Sequence, residues 1–213
     1  MRVAAVVVAA GRGVRFGEMK QFLDLDGRSV CARSVEVART VATTVVVVVP
    51  EGYAGDGEGA DVTVLGGSTR AESVRRGLDV LDDVDVVVVH DAARPAASPQ
   101  LFARVLEALH GDVDGVIPGV AVSDTLKRVE RRASAESVVL ETIPRDNVVA
   151  VQTPQAFRLS TLRRAHEGAP DATDDAALLE AIGATVVVVE GEPDNVKITR
   201  PRDMAEMRAR GWA

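Results

Sequence analysis

Five short runs rich in valine restrict the fold of this 213-residue chain more than any other feature. They occupy residues 3–10, 43–49, 84–90, 114–122 and 184–190. Runs that are apolar without alternation are typical of strands buried on both faces of a parallel sheet. Between them, apolar residues recur at three- and four-residue spacings, often after Ser or Thr, which predicts helices. This alternation predicts one α/β domain over residues 1–213, with a doubly wound, mostly parallel sheet that binds ligands at the carboxyl ends of its strands.

Residues 120–143 interrupt the alternation of strand and helix. Two strand-like runs there flank a polar, charged turn, which predicts a β-hairpin inserted into the α/β order. An exposed hairpin is seldom stable by itself. We therefore expect an arm of about residues 120–145 that packs on a partner subunit and makes the protein a homodimer.

Composition and charge exclude several classes of protein. The net charge of −7, from 32 acidic and 25 basic residues, disfavours general nucleic-acid binding. No stretch has the apolar length of a membrane span, and the first residues indicate a strand rather than a secretory signal, so we expect a cytoplasmic protein without membrane partners. The single cysteine, Cys31, excludes an internal disulfide, and its place on an apolar helical stripe favours burial over catalysis.

The stretch "VAAGRGVRFGEMKQF", residues 8–22, follows the first predicted strand. Gly11 and Gly13 would let backbone N–H groups face a phosphate, while Arg15 and Lys20 would supply positive charge. The stretch lacks both the GK[ST] ending of a P-loop and the GxGxxG spacing. An ordinary turn with solvated arginines is the alternative interpretation.

A second glycine-rich turn, "GGSTRAESV", covers residues 66–74. The hydroxyl groups of Ser68, Thr69 and Ser73 could cap the following helix or bind a ligand. The role of Arg70 is ambiguous from the sequence.

Acidic residues and one lysine mark the remaining candidate sites. Asp91, at the end of a predicted buried strand, could bind a metal or substrate or could cap the next turn. Lys197 lies within "NVKIT", an apolar predicted strand, where a carboxylate or a ligand must compensate its charge. Asp174 and Asp175 follow Thr173 at a predicted helix start, so capping and the helix dipole account for both.

Seven blocks, taken in order, resemble the 2-C-methyl-D-erythritol 4-phosphate cytidylyltransferase family over residues 3–203. They are "AAGRGVRFGEMKQF", "GGSTRAESV", "VHDAARP", "SDTLKR", "QTPQAF", "TDDAALLEAIG" and "DNVKITRPRD". The resemblance implies a Rossmann-like, homodimeric nucleotidyltransferase of the non-mevalonate isoprenoid pathway. Such an enzyme transfers CMP from CTP to 2-C-methyl-D-erythritol 4-phosphate and releases pyrophosphate, with Mg²⁺. A sibling cytidylyltransferase for ribitol 5-phosphate and a catalytically silent nucleotide-binding regulator remain alternatives.

The resemblance also implies roles for individual cations. Arg15 and Lys20 match the transition-state stabilisers of the triphosphate-binding loop, and Arg145 matches an acceptor-side residue that reaches in from the partner's arm. Lys197 matches the lysine that positions the attacking phosphate. In place of the proline that usually precedes the loop lysine, this chain has Met19.

The implied binding residues fall into three sets. Triphosphate, cytosine and ribose binding would involve Ala10, Gly11, Gly67, Ser68 and Ser73. Nucleotide, metal and acceptor binding would involve Asp91, Ala92 and Arg94, with Asp91 contacting Mg²⁺ directly or through a water. Thr125 and Thr153 match acceptor-side residues.

Two further features of the sequence bear on the resemblance. Valines at 148 and 149 replace an aromatic residue that often follows the arm arginine. The end at Ala213 predicts a monofunctional protein without a cyclodiphosphate synthase domain.

Overall fold

The computed structural model describes residues 1–11, 13, 16–132 and 136–211. The strands are β1 (Val3–Val8), β2 (Asp24–Leu25), β3 (Arg28–Ser29), β4 (Thr44–Val49), β5 (Val62–Leu65), β6 (Val86–Asp91), β7 (Gly115–Ala121), β8 (Leu126–Arg131), β9 (Ser137–Ile143), β10 (Val149–Val151), β11 (Gln155–Arg158) and β12 (Val186–Glu190). The helices are α1 (Val30–Ala38), α2 (Arg70–Asp79), α3 (Pro99–Glu107), α4 (Leu159–Ala165), α5 (Asp175–Ala181) and α6 (Pro201–Ala209), and a short 3₁₀ helix covers Lys20–Phe22.

Eight strands of the described chain form one mostly parallel sheet, as the valine runs predicted. β1 pairs in parallel with β4 on one side and with β6 on the other, and β4 pairs in parallel with β5. β11 runs antiparallel between β6 and β7, while β10 and β12 also pair with β7. Because the chain leaves β1 toward β4 and later returns to its other side as β6, a crevice opens at the carboxyl ends of β1 and β6.

Both faces of the central strands are buried, which explains their unbroken apolar sequence. On one face, Ala5 and Val7 belong to the same apolar core as Phe102 of α3. On the other face, Val6 packs in a core that includes Leu78 of α2. Each valine buried in this way contributes on the order of 1.5 kcal/mol of transfer free energy, so the two cores fix the register of the sheet.

Five short strands and the last helix were not predicted from the sequence, and two of those strands, β2 and β3, have two residues each. β5, β10 and β11 have three or four residues each, and β11 includes the polar Gln155 and Arg158. The prediction of a strand at "NVKIT" was wrong. Both edges of β6 are already occupied by β1 and β11, so this segment finds no free edge there. It crosses the end of the sheet, where Ile198 N donates to Ala93 O.

The predicted hairpin is present as β8 and β9, which pair antiparallel in a two-stranded sheet separate from the main one. Its side chains are largely exposed, and Val139 and Leu140 each have 56% of their surface accessible. The described residues therefore confirm the hairpin itself, and its role as a dimerisation arm stays a prediction.

Cys31 is fully buried, as expected. Within the described chain, none of the helices combines the length and the apolar character that crossing a bilayer demands.

Helix α2 approaches the sheet closely at Gly77. A Cβ atom there would lie 2.6 Å from Val6 Cγ1 and 3.1 Å from Val48 Cγ2, and both valines are fully buried. Only hydrogen in place of a side chain permits this approach.

We therefore predict that Gly77→Ala lowers the free energy of unfolding, although alanine has a higher helix propensity than glycine. Propensity alone would stabilise the variant by roughly 1 kcal/mol, whereas overpacking of a full core costs roughly 1–3 kcal/mol. Urea denaturation measures the difference. The control is Asp79→Ala, at the exposed last residue of the same helix, where propensity and the helix dipole change but core packing does not. A Gly77→Ala protein more stable than wild type would contradict the close packing.

Candidate active site

A cavity of about 360 Å³ opens at the carboxyl ends of β1 and β6. It lies in the crevice where doubly wound sheets bind ligands. Among the described residues, its lining brings together segments that are far apart in sequence. The lining residues to which the family resemblance assigns roles are Ala10, Gly11, Lys20, Gly67, Ser73, Asp91, Ala92 and Lys197, and Gly13, Thr69 and Arg70 line it as well.

The loop after β1 is fastened at its base by a buried glutamine. Gln21 Nε2 donates to Ala9 O at 2.7 Å and to Gly11 O at 2.8 Å, which orients the backbone where the loop begins. Gly13 has φ +67°, and a Cβ there would lie 1.7 Å from Glu18 O, so the turn requires glycine. Arg12, Val14 and the predicted Arg15 lie outside the described residues.

The second glycine-rich turn begins α2. Thr69 caps the helix by accepting from Glu72 N at 3.1 Å, so its hydroxyl is accounted for by capping. Ser73 Oγ donates to Thr69 O at 2.8 Å and accepts from Gly67 N at 3.1 Å, which closes the turn beside the cavity. Ser68 lines a neighbouring hollow instead, where its hydroxyl donates to Glu72 Oε2 at 2.8 Å. The Ser68 bonds lower the pKa of Glu72 to about 2.

Two cations bind the carboxylate of Asp91. Lys197 Nζ donates to Asp91 Oδ2 at 2.6 Å, and Arg70 Nε lies 3.4 Å from Asp91 Oδ1. Burial by itself would raise the pKa of Asp91, but Arg70 and Lys197 outweigh it and hold that pKa below its usual range. The side chain thus does not cap the next turn. A carboxylate compensates Lys197, as its position required.

Behind Asp91 lies a second carboxylate, Asp175, which lies in the first turn of α5 as predicted but whose partners the sequence did not reveal. Asp174 caps α5, accepting from Ala177 N at 3.1 Å, as predicted. Asp175 instead points into the core, where its Oδ2 accepts from Arg70 Nη1 at 2.7 Å and its Oδ1 lies 3.2 Å from His166 Nε2. Although burial opposes the charged form, Arg70 and then His166 lower the pKa of Asp175. We call Arg70, Asp91, Asp175 and Lys197 the charge cluster.

Neutral hydrogen bonds hold the main chain of Asp91. Its N–H donates to Thr153 Oγ1 at 3.0 Å, and Thr153 Oγ1 lies 3.1 Å from His90 Nδ1. His90 Nε2 lies 3.1 Å from the carbonyl oxygen of Arg94, which can only accept. These partners fix the neutral Nε2–H tautomer, with the Thr153 hydroxyl donating to Nδ1. Burial lowers the pKa of His90 to about 4.

Four residues predicted to serve the acceptor, Arg94, Thr125, Arg145 and Thr153, do not line the cavity. Arg94 Nη1 donates to Asn195 O at 2.7 Å, and burial lowers the pKa of this arginine. Thr125 and Arg145 are exposed next to the hairpin, where Arg145 Nη1 donates to Ser123 O. The predicted roles of Thr125 and Arg145 therefore depend on an approach from outside this chain.

Residues 3–210 match the family of IspD, 2-C-methyl-D-erythritol 4-phosphate cytidylyltransferase. The chain belongs to this family. It is 44% identical over 216 residues to the 2-C-methyl-D-erythritol 4-phosphate cytidylyltransferase of Rhodococcus jostii (strain RHA1), covering 97% of this chain and 94% of that protein. It is also 44% identical over 221 residues to the bifunctional enzyme IspD/IspF of Anaeromyxobacter sp. (strain Fw109-5), but spans only 57% of that protein.

The fold of the family agrees with that of this chain. The crystal structure of 2-C-methyl-D-erythritol 4-phosphate cytidylyltransferase from Thermus thermophilus superposes with a TM-score of 0.83 at 37% identity. The similarity covers 98% of each chain. The predicted Rossmann-like α/β architecture is thereby confirmed.

The neutral state of His90 predicts how stability depends on pH. The unfolded histidine takes up a proton below about pH 6.5, whereas the folded one does so only near 4, so folding stability falls as pH drops between these values. The loss attributable to His90 is roughly 3 kcal/mol. We predict that urea unfolding of His90→Gln, which cannot titrate, depends less steeply on pH than that of wild type over this range. Parallel curves would contradict a buried neutral His90.

Proposed function

We propose that this chain transfers CMP from CTP to 2-C-methyl-D-erythritol 4-phosphate and releases pyrophosphate. The observation that carries the proposal is the cavity at the carboxyl ends of β1 and β6. Its lining includes Lys20, Lys197 and glycines from both glycine-rich turns. Family membership supports the same reaction, because its relatives bear the name of this cytidylyltransferase.

In the proposed reaction, a phosphate oxygen of the acceptor attacks the α-phosphorus of CTP. The bond between the α-phosphorus and the bridging oxygen breaks, and pyrophosphate leaves with the electron pair. The acceptor phosphate is already ionised at neutral pH, so the step needs no protein base. Its main barrier is the approach of two anions, which positioning and positive charge lower.

We assign Lys20 and Arg15 to the triphosphate, where they would stabilise charge that develops on the leaving pyrophosphate. Lys197 would position the attacking phosphate. Its side chain is 42% exposed although it is paired with Asp91, so a phosphate can reach the ammonium. Gly67 and Ser73 would bind the nucleoside, beside Ala10 and Gly11 at the triphosphate, and Ala92 would contact the nucleotide next to Asp91. We place Ser68 at the nucleobase, in the hollow that adjoins the cavity.

A divalent metal ion, Mg²⁺, would accompany CTP in the proposed reaction. No group of three or more His, Cys, Asp or Glu side chains within the described residues could hold a metal ion by itself. Asp91 is the carboxylate among the described lining residues, and a single carboxylate suits Mg²⁺ because substrate phosphates and waters supply its other ligands. When bound, the ion would neutralise negative charge on the triphosphate.

We further propose a homodimer whose arm, about residues 120–145, completes the partner's site. The exposed apolar side chains Val139, Leu140 and Val149 would be covered by a second copy. Thr125 and Arg145 would then reach the acceptor in the partner's cavity, while Thr153 and Arg94 support that side from within the chain. We also propose that residues 1–213 act as one nucleotidyltransferase domain in the cytoplasm.

The acceptor decides between the proposed enzyme and its alternatives. With CTP and Mg²⁺, we expect pyrophosphate release with 2-C-methyl-D-erythritol 4-phosphate and far less with ribitol 5-phosphate. A preference for ribitol 5-phosphate would favour the sibling enzyme, and CTP binding without release would favour a silent regulator. As a control for the assigned site, Lys20→Ala should lower kcat by about 10²-fold or more, because it removes charge stabilisation in the transition state.

Mixed dimers test whether the arm crosses to the partner. In a dimer of Lys20→Ala with Arg145→Ala subunits, one site would collect both substitutions and the other neither. Random reassortment of equal amounts should therefore restore about a quarter of wild-type activity.

The matched control mixes Lys20→Ala with Lys197→Ala. Both lysines line the cavity of one chain, so each site of that mixed dimer stays damaged and no activity should return. Subunits that exchange without restoring activity in the first mixture would show that Arg145 does not act in the neighbouring site.

A further inference from the structure

We infer that Asp175 is a positioning residue of the proposed reaction, which acts through Arg70 on Asp91 at the cavity wall. The inference rests on the proposed function and adds to it two residues that the family resemblance did not assign. Arg70 lines the cavity, whereas Asp175 lies behind it with a side chain that is only 1% exposed.

The guanidinium of Arg70 joins two carboxylates with different surroundings. Its Nη1 is 2.7 Å from Asp175 Oδ2, and its Nε is 3.4 Å from Asp91 Oδ1. The shorter bond makes Asp175 the principal partner. Asp175 is fixed in turn by His166 Nε2, 3.2 Å from its other oxygen, and this histidine is also buried. Both oxygens of Asp175 are therefore engaged, which leaves Arg70 one well-defined position.

That position determines how Asp91 meets Lys197. With Arg70 Nε on Oδ1, the second oxygen, Oδ2, receives the Lys197 ammonium at 2.6 Å. Arg70 is shared with Asp175, so it takes up only part of the Asp91 charge and leaves the rest to Lys197. Without the charge of Asp175, Arg70 is free to bind Asp91 fully or to turn toward a phosphate in the cavity. Either movement displaces Lys197, and small displacements of a positioning group are costly in catalysis.

The test compares neighbouring aspartates that differ in what they contact. Asp175→Asn keeps the shape of the side chain and removes the charge that holds Arg70. We expect kcat/KM for the acceptor to fall about 10-fold or more, with KM for CTP changed less than about 2-fold, because Lys197 serves the acceptor side. The control is Asp174→Ala, which removes the cap of α5 and should lower the thermal unfolding temperature with unchanged kinetics.

Loss of stability by itself predicts a different pattern. If Asp175 were merely structural, Asp175→Asn would lose folded protein and would keep the wild-type KM values for both substrates. Thermal unfolding of both variants, measured beside the kinetics, separates the two cases. Normal kcat/KM for the acceptor in folded Asp175→Asn, or equal changes for acceptor and CTP, would overturn the inference.

A second variant covers the case in which Asp175→Asn does not fold. Arg70→Lys keeps one positive charge, but a single ammonium cannot reproduce the fork that binds the two carboxylates from different nitrogens. It should show the same selective loss for the acceptor, and wild-type kinetics in folded Arg70→Lys would overturn the inference. Wild type in the same assay distinguishes the two proposals. If wild type turns over and both variants have wild-type kinetics, only this inference is overturned. If wild type shows no turnover, the proposed function is overturned as well.

Discussion

The ionised carboxylate of Asp91 is the constraint around which the rest of the site is arranged. Its side chain is only 12% exposed, so its charge persists there because Arg70 and Lys197 compensate it. These partners come from 21 and 106 residues away in the sequence. The charge cluster therefore ties α2, α5 and the segment before α6 to the end of β6. One hydrophobic core already joins α2, α5 and β6, and the charge cluster adds the segment before α6, whose Ile198 packs in a separate core.

Neutral hydrogen bonds complement the charge cluster by fixing backbone positions. Gln21 holds the carbonyls of Ala9 and Gly11, and Thr153 links the Asp91 N–H to His90. Such bonds are weakened little by salt, and buried groups that lose them pay a desolvation penalty. The backbone that would face a nucleotide is thus set by neutral groups, while the side chains that would meet phosphate carry the charge.

Much of the fold followed from the sequence because its signal is local. An unbroken valine run predicts a strand wherever its neighbours come from, and a polar turn between two strand-like runs predicts a hairpin. Both faces are buried in the central strands β1, β4 and β6, whereas Val188 of β12 is 52% exposed, so burial of that run was overestimated. β11 shows the limit of this reasoning. Its four residues include Gln155 and Arg158, and it forms a strand because β6 and β7 leave a gap of one strand between them. "NVKIT" shows the converse, an apolar segment that lies near β6, both of whose edges are already occupied.

The site was predicted in part for a related reason. Glycine-rich turns after strands and an aspartate at a strand end have local signatures, and most of the residues found in them line the cavity. Asp175 has a local explanation as well, since it follows Thr173 and Asp174 at a helix start. Its real partner is Arg70, 105 residues earlier, and no spacing within either segment reports that pairing. The one available signal was the unassigned role of Arg70. An arginine in a glycine-rich turn does not cap the helix, and where it does not face open solvent it must pair with a residue that is distant in the sequence. The residues that line the cavity have local patterns in this protein, whereas the buried residue that holds Arg70 in place is specified only by the folded chain.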